Sequence, residues 1–491
     1  MKYLLCFILG GLYTLSFTPY NISVLSLISI IFLFLLLDLD ELKESVIKAF
    51  LFSFSYFSIG TYWLDNVIGS YSDTNAILAI FIIIFFILYL SLYIVAPVLI
   101  CSLLKRELSL NTNFTLIILS ILISLFEILR SYMFTGFSWN NFGQSALNTI
   151  FIDFFPVIGV HGVSFMIFLA SLIIINILKI NDFKFFIFLT IISFASYGLV
   201  KDKNWTLAKN EIINVSIIQP NTVNKLSYNK KEINQRMNQL YKLSLESLSS
   251  NPDVILWPES PIPIPYNDLK DNYYDKILSI LDNKAHLIAG TFYKSDKKIF
   301  NSLINITEPH NVYHKNHLVP FGEYLPYRKY LNTFYSSIGL SLYDLAKGSY
   351  SSAFSVNKYI AQPLICYESI FSQSSLIINA DVDFIINVSN DGWFGNSLAP
   401  YQHLDALRMR SLENQRYSIR SANNGISAVI SPKGDIIKNI EYEKEGILNA
   451  NIKLRNGHTP LSKYGYDILY VIMFILFLVS AIYYNFRVFR R

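Results

Sequence analysis

Long apolar runs are the feature that most constrains how this chain folds. Eight stretches of the 491-residue sequence are long enough, or nearly so, to cross a hydrocarbon core of about 30 Å. They lie at residues 3–18, 22–38, 47–68, 75–104, 114–134, 157–178, 183–200 and 466–486. No such run occurs between 201 and 465. The pattern predicts a membrane α-helical bundle of about eight transmembrane helices, with one large polar insert.

The first run also has a feature of a cleaved signal peptide, because Lys2 precedes an apolar core. No A-x-A-like cleavage site follows it, however. The next residues, Phe17-Thr18-Pro19-Tyr20-Asn21, have the composition of a tight turn. We therefore expect the run to be retained as the first span.

Basic residues are shared unevenly between the loops that join the predicted spans. With the N-terminus inside, the outer connections at 19–21, 65–74 and 131–156 contain no lysine or arginine. Basic loops stay on the cytoplasmic side of a membrane, so the 201–465 insert is predicted to lie outside the cytoplasm. The net charge of +5 needs no nucleic-acid partner, because the inner loops and the tail hold much of it. Their basic residues are Lys43, Lys48, Lys105, Arg106, Lys179, Lys184, Arg487, Arg490 and Arg491.

The insert alternates strand-like and helix-like patterns, which is typical of an α/β layered domain. Helices are predicted at 230–249, 268–282, from about 369 onward, and at 400–416. Strands are predicted at 213–219, 254–257, 286–292, 299–306, 311–316, 359–365 and 384–388, with a further pair around the 431–434 turn.

Cys366 is the only cysteine of the insert, since Cys6 and Cys101 lie in or beside apolar runs. A lone thiol there has no internal disulfide partner, so it is either simply buried or a nucleophile. Its position after a predicted strand is shared by Glu259, Lys315 and the 390–395 loop. A carboxylate can take the thiol proton, and an ammonium can stabilise an oxyanion. Such a trio also arises by chance, so spacing alone is a weak signal.

The local sequences around these residues are more specific. Trp257-Pro258-Glu259, the 315–324 segment (KNHLVPFGEY) and Cys366-Tyr367-Glu368 resemble the nitrilase (carbon–nitrogen hydrolase) superfamily in order and spacing. With the surrounding spans, the 135–139 stretch (TGFSW) and the 389–395 stretch (SNDGWFG), the whole chain resembles the apolipoprotein N-acyltransferases.

The resemblance implies a nitrilase-like αββα sandwich beside the membrane bundle. It divides the chain into an N-terminal transmembrane region with seven spans at 1–205, a nitrilase-like catalytic domain at 206–460, and a C-terminal transmembrane helix with a basic cytoplasmic tail at 461–491. It also implies a multi-pass protein of the bacterial inner (plasma) membrane, with the catalytic domain on the periplasmic side.

The resemblance further implies a two-step acyl transfer. Cys366 would attack the sn-1 ester of a membrane phospholipid, with phosphatidylethanolamine as the expected donor, and form a thioester. Glu259 would be the general base, and Lys315 would stabilise the oxyanion. The acceptor would be the α-amine of the diacylglyceryl-cysteine at the N-terminus of an apolipoprotein.

Other residues carry implied supporting roles. Glu323 matches the family's supporting glutamate, and Tyr367 and Glu368 match further essential positions. The substrate-binding candidates are Asn390, Trp393, Phe394 and Tyr228. Trp393 and Phe394 fit either plain packing or the lining of an acyl-chain site. Tyr228 stands where the family usually has a tryptophan. No metal or nucleotide is implied, and none of the seven histidines has zinc-site spacing.

Two rival functions follow from the same residues. The first is a membrane-tethered amidase or nitrilase-type hydrolase that uses water as acceptor, although a hydrolase of soluble substrates needs no lipid access. The second is a transporter or lipoprotein-binding scaffold with a vestigial site, although Glu259, Lys315 and Cys366 are all present.

Overall fold

A computed structural model describes residues 1–71, 76–179, 182–225, 227–282, 284–337, 343–349 and 353–488. Internal contacts divide the chain into two compact units. The first, the helical unit, comprises residues 1–62, 80–203 and 463–491. The second, the sheet unit, comprises residues 63–79 and 204–462. Residues 63–79, which fall within the predicted N-terminal transmembrane region, therefore group with the sheet unit.

The α-helices are numbered in chain order over the described residues. They are α1 Lys2–Thr14, α2 Val24–Leu36, α3 Leu42–Gly60, α4 Leu64–Tyr71, α5 Ala76–Leu108, α6 Thr112–Arg130, α7 Phe155–Leu178, α8 Phe183–Val200, α9 Lys230–Ser247, α10 Tyr266–Leu269, α11 Asp275–Leu281, α12 Arg328–Ser337, α13 Ala399–Asn414, α14 Pro460–Tyr464 and α15 Asp467–Val488.

Each predicted apolar run contains a helix, and within the described residues five helices are long and apolar enough to cross a membrane. These are α5, α6, α7 with its preceding turn, α8 and α15. Helices α1 and α2 have 13 residues each and are shorter. The 47–68 run is not one helix, because α3 ends at Gly60 and α4 begins at Leu64. Helices α1 and α3 pack at Gly10, where a Cβ would lie only 2.1 Å from the carbonyl oxygen of Phe52.

Two buried charges of the helical unit, Glu127 and Arg130, are satisfied by neighbouring polar groups. Glu127 Oε1 lies 2.9 Å from His161 Nδ1, and its Oε2 accepts from the main-chain N–H of Phe142 at 2.8 Å. Arg130 donates to the main-chain oxygen of Trp139 at 2.7 Å. Buried charges without such partners would be very costly. These bonds fix the segment between α6 and α7 against the helices.

The sheet unit contains two six-stranded sheets within the described residues. The first has the order β12-β1-β2-β3-β4-β5, and the second β11-β10-β9-β8-β7-β6. The strands are β1 Leu207–Gln219, β2 Val254–Leu256, β3 His286–Ser295, β4 Lys298–Asn305, β5 Val312–His314, β6 Phe354–Val356, β7 Tyr359–Ile365, β8 Phe384–Ser389, β9 Ser418–Ala422, β10 Ser427–Ile430, β11 Ile436–Ile440 and β12 Gly446–Asn456.

The sheets pack face to face over an apolar core, and helices cover their outer faces. Val215 and Ile288 of one sheet and Ile365 and Val388 of the other belong to the same buried cluster. Helices α9 and α11 pack on the outer face of the first sheet, and α13 packs on that of the second. Strands β1–β3 run parallel to one another, and so do β7–β9. Strands β2, β7 and β8 are largely buried on both faces, which explains their mostly apolar sequences. The predicted combination of a helical bundle and an αββα sandwich is confirmed.

Some local predictions were wrong. The helix expected from about 369 is a 3₁₀ turn at Cys366–Ile370, which starts directly at the end of β7. The helix expected at 268–282 is interrupted by a π-helical turn at Lys270–Tyr274. Strands β6, β9 and β12 and helix α12 were not predicted.

Candidate active site at the strand ends

Cys366 occupies a strained backbone position at the carboxyl end of β7. Its φ of +49° is in the left-handed region, which is costly for a residue with a Cβ. The side chain is half-buried. Within the turn, the Ser369 hydroxyl donates to the main-chain oxygen of Cys366 at 2.9 Å. Such strain persists only where the surrounding structure holds the residue in place, and here hydrogen bonds around the turn do so.

Glu368 is the main brace of the cysteine turn. It is 3% exposed, and four hydrogen bonds reach its carboxylate. Oε2 accepts from the N–H of Ile365 at 2.8 Å, and Oε1 accepts from the Tyr313 hydroxyl at 2.8 Å. Oε1 also accepts from the N–H groups that follow Lys315, at 2.7 and 3.1 Å. Burial raises the pKa of Glu368 despite these donors. The carboxylate therefore joins the cysteine turn to the segment that carries Lys315.

We expect Glu368→Gln to destabilise the sheet unit by about 1–3 kcal/mol, because an amide N–H₂ would face buried donors. Thermal unfolding of the purified protein measures this loss. Glu246→Gln on α9 is the matched control, since that side chain is 51% exposed. An unfolding temperature equal to that of the control would contradict the bracing role.

Lys315 and two carboxylates form a compact buried cluster after β5. Lys315 is 1% exposed, and its Nζ lies 2.9 Å from Glu323 Oε1 and 3.4 Å from Glu259 Oε1. Burial alone would lower the pKa of Lys315, but Glu323 and Glu259 outweigh it and hold the pKa well above its usual range. The lysine is therefore a permanent cation. Glu323 Oε2 also accepts from the N–H of Val319 at 2.7 Å, which closes the loop after the lysine.

Asn301 on β4 belongs to this cluster and was missed by the sequence analysis. Its Nδ2 donates to Glu259 Oε1 at 2.7 Å and to Glu323 Oε1 at 2.8 Å. Both neighbours are acceptors, so the amide nitrogen must face them. Its own strand gave little signal, because Ser302 and Asn305 of β4 are polar as well. Gly290 on β3 also contributes, because a Cβ there would lie 2.6 Å from the Cα of Glu259.

The thiol of Cys366 lies within electrostatic reach of both Glu259 and Lys315. Burial raises its pKa, the Glu259 charge raises it further, and Lys315 opposes them without cancelling the shift. The thiol is therefore protonated at rest. A thiol of this kind needs a base at the moment of attack, and a carboxylate beside it can serve. The arrangement is chemically suited to acyl transfer through a thioester.

Tyr367 and the residues of the loop after β8 were predicted to support the site or bind substrate. The Tyr367 ring packs near Phe371, with centroids 5.1 Å apart. In the loop after β8, Asn390 Oδ1 accepts from Asn224 at 2.6 Å, and the ring of Phe394 packs edge-on to Trp63 at 5.0 Å. Trp393 and Phe394 are both partly exposed. These contacts agree with a loop that combines packing with an accessible aromatic surface.

Tyr228 lies before α9, and its described contacts are local. Its hydroxyl accepts from the N–H of Lys225 at 2.8 Å, and the guanidinium of Arg236 lies 4.2 Å from its ring centroid. Arg236 also donates to the main-chain oxygen of Pro261 at 2.9 Å, two residues after Glu259. Tyr228 is therefore linked to the Glu259 loop through the arginine.

Among the described residues, Cys366, Asp391 and His403 are a group whose geometry could hold a metal ion. Their candidate ligand atoms all lie within 4.8 Å of one another. Both ring nitrogens of His403 are already hydrogen-bonded, however, and Arg420 pairs with Asp391 at 2.6 Å. A fixed guanidinium in this position opposes a second cation.

Two family models match the chain over separate ranges. Residues 9–173 match the apolipoprotein N-acyltransferase N-terminal domain, and residues 214–457 match the carbon–nitrogen hydrolase domain. The second match spans both sheets and every residue of the cluster around Cys366.

Curated relatives match nearly the full length of the chain. An apolipoprotein N-acyltransferase of Wigglesworthia glossinidia brevipalpis is 32% identical, over 96% of this chain and 96% of the relative. One of Haemophilus ducreyi is 30% identical, over 96% of this chain and 95% of the relative. Among solved structures, a CN-hydrolase superfamily protein of Xanthomonas campestris is 19% identical, with a TM-score of 0.37 over 49% of this chain and 91% of that chain.

Proposed function

Because the chain belongs to the apolipoprotein N-acyltransferase family, we propose that it transfers an acyl chain from a membrane phospholipid to the N-terminus of apolipoproteins. The acceptor is the α-amino group of the diacylglyceryl-cysteine. The observation that carries the proposal is the near full-length match to acyltransferases in both the helical and the hydrolase-like parts. The amidase alternative is disfavoured, because it leaves the N-terminal match without a purpose.

In the first half-reaction we assign the attack on the sn-1 ester carbonyl to the sulfur of Cys366. Glu259 takes the thiol proton as the carbon–sulfur bond forms, and Lys315 stabilises the negative oxygen of the tetrahedral intermediate. The ester C–O bond then breaks. Glu259 returns its proton to the departing oxygen, which leaves a lysophospholipid and an acyl thioester. The raised pKa of the resting thiol supports this order, because a protonated thiol must give up its proton during the attack.

In the second half-reaction the α-amine attacks the thioester carbon. Glu259 accepts a proton from the amine, and Lys315 again faces the oxyanion. The carbon–sulfur bond breaks, an amide forms, and the thiolate of Cys366 is reprotonated from Glu259. Lys315 stays charged throughout, in keeping with a pKa held high by its two carboxylate neighbours.

The remaining site residues act by position. Glu323 and Asn301 hold Lys315 and Glu259 in fixed relation, and Glu368 ties the cysteine turn to the lysine segment. Tyr367 supports the same turn. Phosphatidylethanolamine is the proposed donor. Asn390, Trp393 and Phe394, from the loop after β8, together with Tyr228 are proposed to contact substrate.

We place the protein in the bacterial inner membrane with the sheet unit on the periplasmic side, because the basic residues concentrate in the alternate loops and the tail. An alkaline phosphatase reporter fused after Leu454 should be active, and one fused at the C-terminus should be inactive. Protein levels measured by immunoblot provide the control. The opposite pattern would refute the orientation.

Product analysis tests the proposed function. The purified protein, given phosphatidylethanolamine vesicles and a synthetic diacylglyceryl-cysteine peptide, should yield lysophospholipid and N-acylated peptide in equal amounts. Release of free fatty acid instead of N-acylated peptide would favour the tethered hydrolase. Absence of both products would favour the scaffold.

A further inference from the structure

A second buried polar cluster contacts Cys366 and is separate from the groups assigned to acid–base chemistry. It consists of Ser389 at the end of β8, Asp391 in the following turn, His403 on α13 and Arg420 on β9. Each of these four side chains is at most 1% exposed. The sequence analysis quoted the 389–395 stretch without giving Ser389 or Asp391 a role, and it did not name His403 or Arg420. Buried polar groups of this density need a reason beyond packing, because every unsatisfied member would be costly.

A hydrogen bond connects this cluster to the main chain of Cys366. His403 Nε2 lies 3.0 Å from the main-chain oxygen of Cys366. That oxygen can only accept, so Nε2 carries a proton and donates. The Ser389 side chain also acts on the thiol, where it counters part of the rise in the pKa of Cys366. The cluster therefore bonds to the carbonyl of Cys366 and also lies close to its sulfur.

Asp391 is the common anchor of both contacts. Its Oδ1 lies 2.9 Å from His403 Nδ1 and accepts from the Ser389 hydroxyl at 2.7 Å. Its Oδ2 accepts from Arg420 at 2.6 Å. Burial alone would raise the pKa of Asp391, but Arg420 and His403 outweigh it and hold the pKa below its usual range. The carboxylate of Asp391 is therefore a fixed anion. Arg420 is itself held in place, because it also donates to Asn387 Oδ1.

Two glycines allow close packing in and around the turn that contains Asp391. A Cβ on Gly425 would lie 2.2 Å from Asp391 Oδ2, and a Cβ on Gly392 would lie 2.2 Å from Asn224 Nδ2. A larger residue at position 425 would press on the Asp391 carboxylate, and one at position 392 would press on the side-chain amide of Asn224. This close packing keeps Asp391 at the end of the sheet beside the nucleophile turn.

We propose that His403 is a positioning residue for acyl transfer: held by Asp391, it donates to the main-chain oxygen of Cys366 and fixes the left-handed conformation from which the thiol faces its substrate. The inference rests on the proposed function, because it assigns a nucleophilic role to Cys366. His403 does not touch the reacting carbon. Its effect is on the orientation of the thiol, where a displacement of about 1 Å can cost about 10²-fold in rate.

Two substitutions of His403 separate this role from simple packing. In His403→Asn, the side-chain amide reaches the position of the histidine Nδ1 and keeps a donor toward Asp391. It is too short to reach the main-chain oxygen of Cys366. A glutamine amide reaches the place of Nε2 and keeps the donor to that oxygen. Both remove an aromatic ring from the same buried site, so a packing defect should affect them alike.

The experiment is single-turnover thioester formation, measured by intact-protein mass with phosphatidylethanolamine vesicles and no acceptor. His403→Asn should form the thioester about 10²-fold more slowly, and His403→Gln should stay within about tenfold of the unsubstituted protein. The phospholipid concentration that gives half the maximal rate should be unchanged in both. His310→Asn, an exposed histidine in a turn, should behave as the unsubstituted protein.

Each outcome decides the inference. Equal slowing of the asparagine and glutamine variants, with both folded, would overturn it, as would normal acylation by His403→Asn. If the asparagine variant does not fold, the glutamine variant decides alone, and slowing beyond about 10²-fold with normal thermal unfolding would overturn the inference. Failure of the unsubstituted protein to form any thioester would instead overturn the proposed function.

Discussion

Cys366→Ala should lose N-acylation activity completely, to the limit of detection, while the protein still inserts and folds. No thioester can form without the sulfur. Direct attack of the amine or of water on the unactivated phospholipid ester does not replace this covalent intermediate. Residual catalysis from the oxyanion group alone is not expected to produce amide, because the acyl chain must leave the lipid before the second substrate arrives. The measurement is production of N-acylated peptide from phosphatidylethanolamine by equal amounts of purified protein.

Cys101→Ala is the matched control for this variant. Cys101 is fully buried in α5 of the helical unit, so the substitution removes a thiol of the chain without altering the sheet unit. It should retain normal turnover. Substantial turnover by Cys366→Ala, or an equal loss in both variants, would show that Cys366 is not the nucleophile.

Glu259→Gln and Lys315→Met should each suppress thioester formation, but for different reasons. The glutamine cannot take the thiol proton, and loss of a general base typically costs about 10²–10⁴-fold. Methionine keeps much of the lysine's shape without its charge, and loss of an oxyanion donor typically costs about 10²–10³-fold. Lys315→Met also leaves Glu259 and Glu323 without their shared cation. We therefore expect a lower unfolding temperature for this variant as well.

The double variant tests whether the two residues act in one step. Residues that work as a unit are non-additive, so the double variant should be far less impaired than the product of the two single effects. Single-turnover acylation measures all three rates. Lys298→Met and Glu246→Gln, at exposed positions, are the matched controls. If either single variant acylates at the control rate, its assigned role in the first half-reaction is wrong.

The sequence predicted the layered domain because most of its parallel strands, such as β2 and β7, are apolar runs between turn residues. Strand β7 was predicted with its observed bounds, Tyr359–Ile365, since Cys366 ends the apolar run. The structure directly after this strand was predicted incorrectly. A helix was expected after the cysteine, but the four bonds to Glu368 hold a short 3₁₀ turn there instead.

Strand β9 shows why other parts could not be predicted. It is fully buried, yet Ser418, Arg420 and Ser421 are polar and give no apolar signal. Their burial is possible only because distant partners satisfy them, such as Asp391 for Arg420. Asn301 and His403 were missed for the same reason. Their importance lies in contacts across the fold, and each would pass for an ordinary polar residue in its own segment.

Capture and discharge of the acyl-enzyme test the central claim most directly. Purified protein with phosphatidylethanolamine and no acceptor should gain the mass of one acyl group on Cys366, in a form that neutral hydroxylamine removes. A diacylglyceryl-cysteine peptide should then discharge it to an amide, and the adduct should persist in water alone. A protein that never carries the acyl group, or that releases free fatty acid as fast as it cleaves phospholipid, would contradict the account.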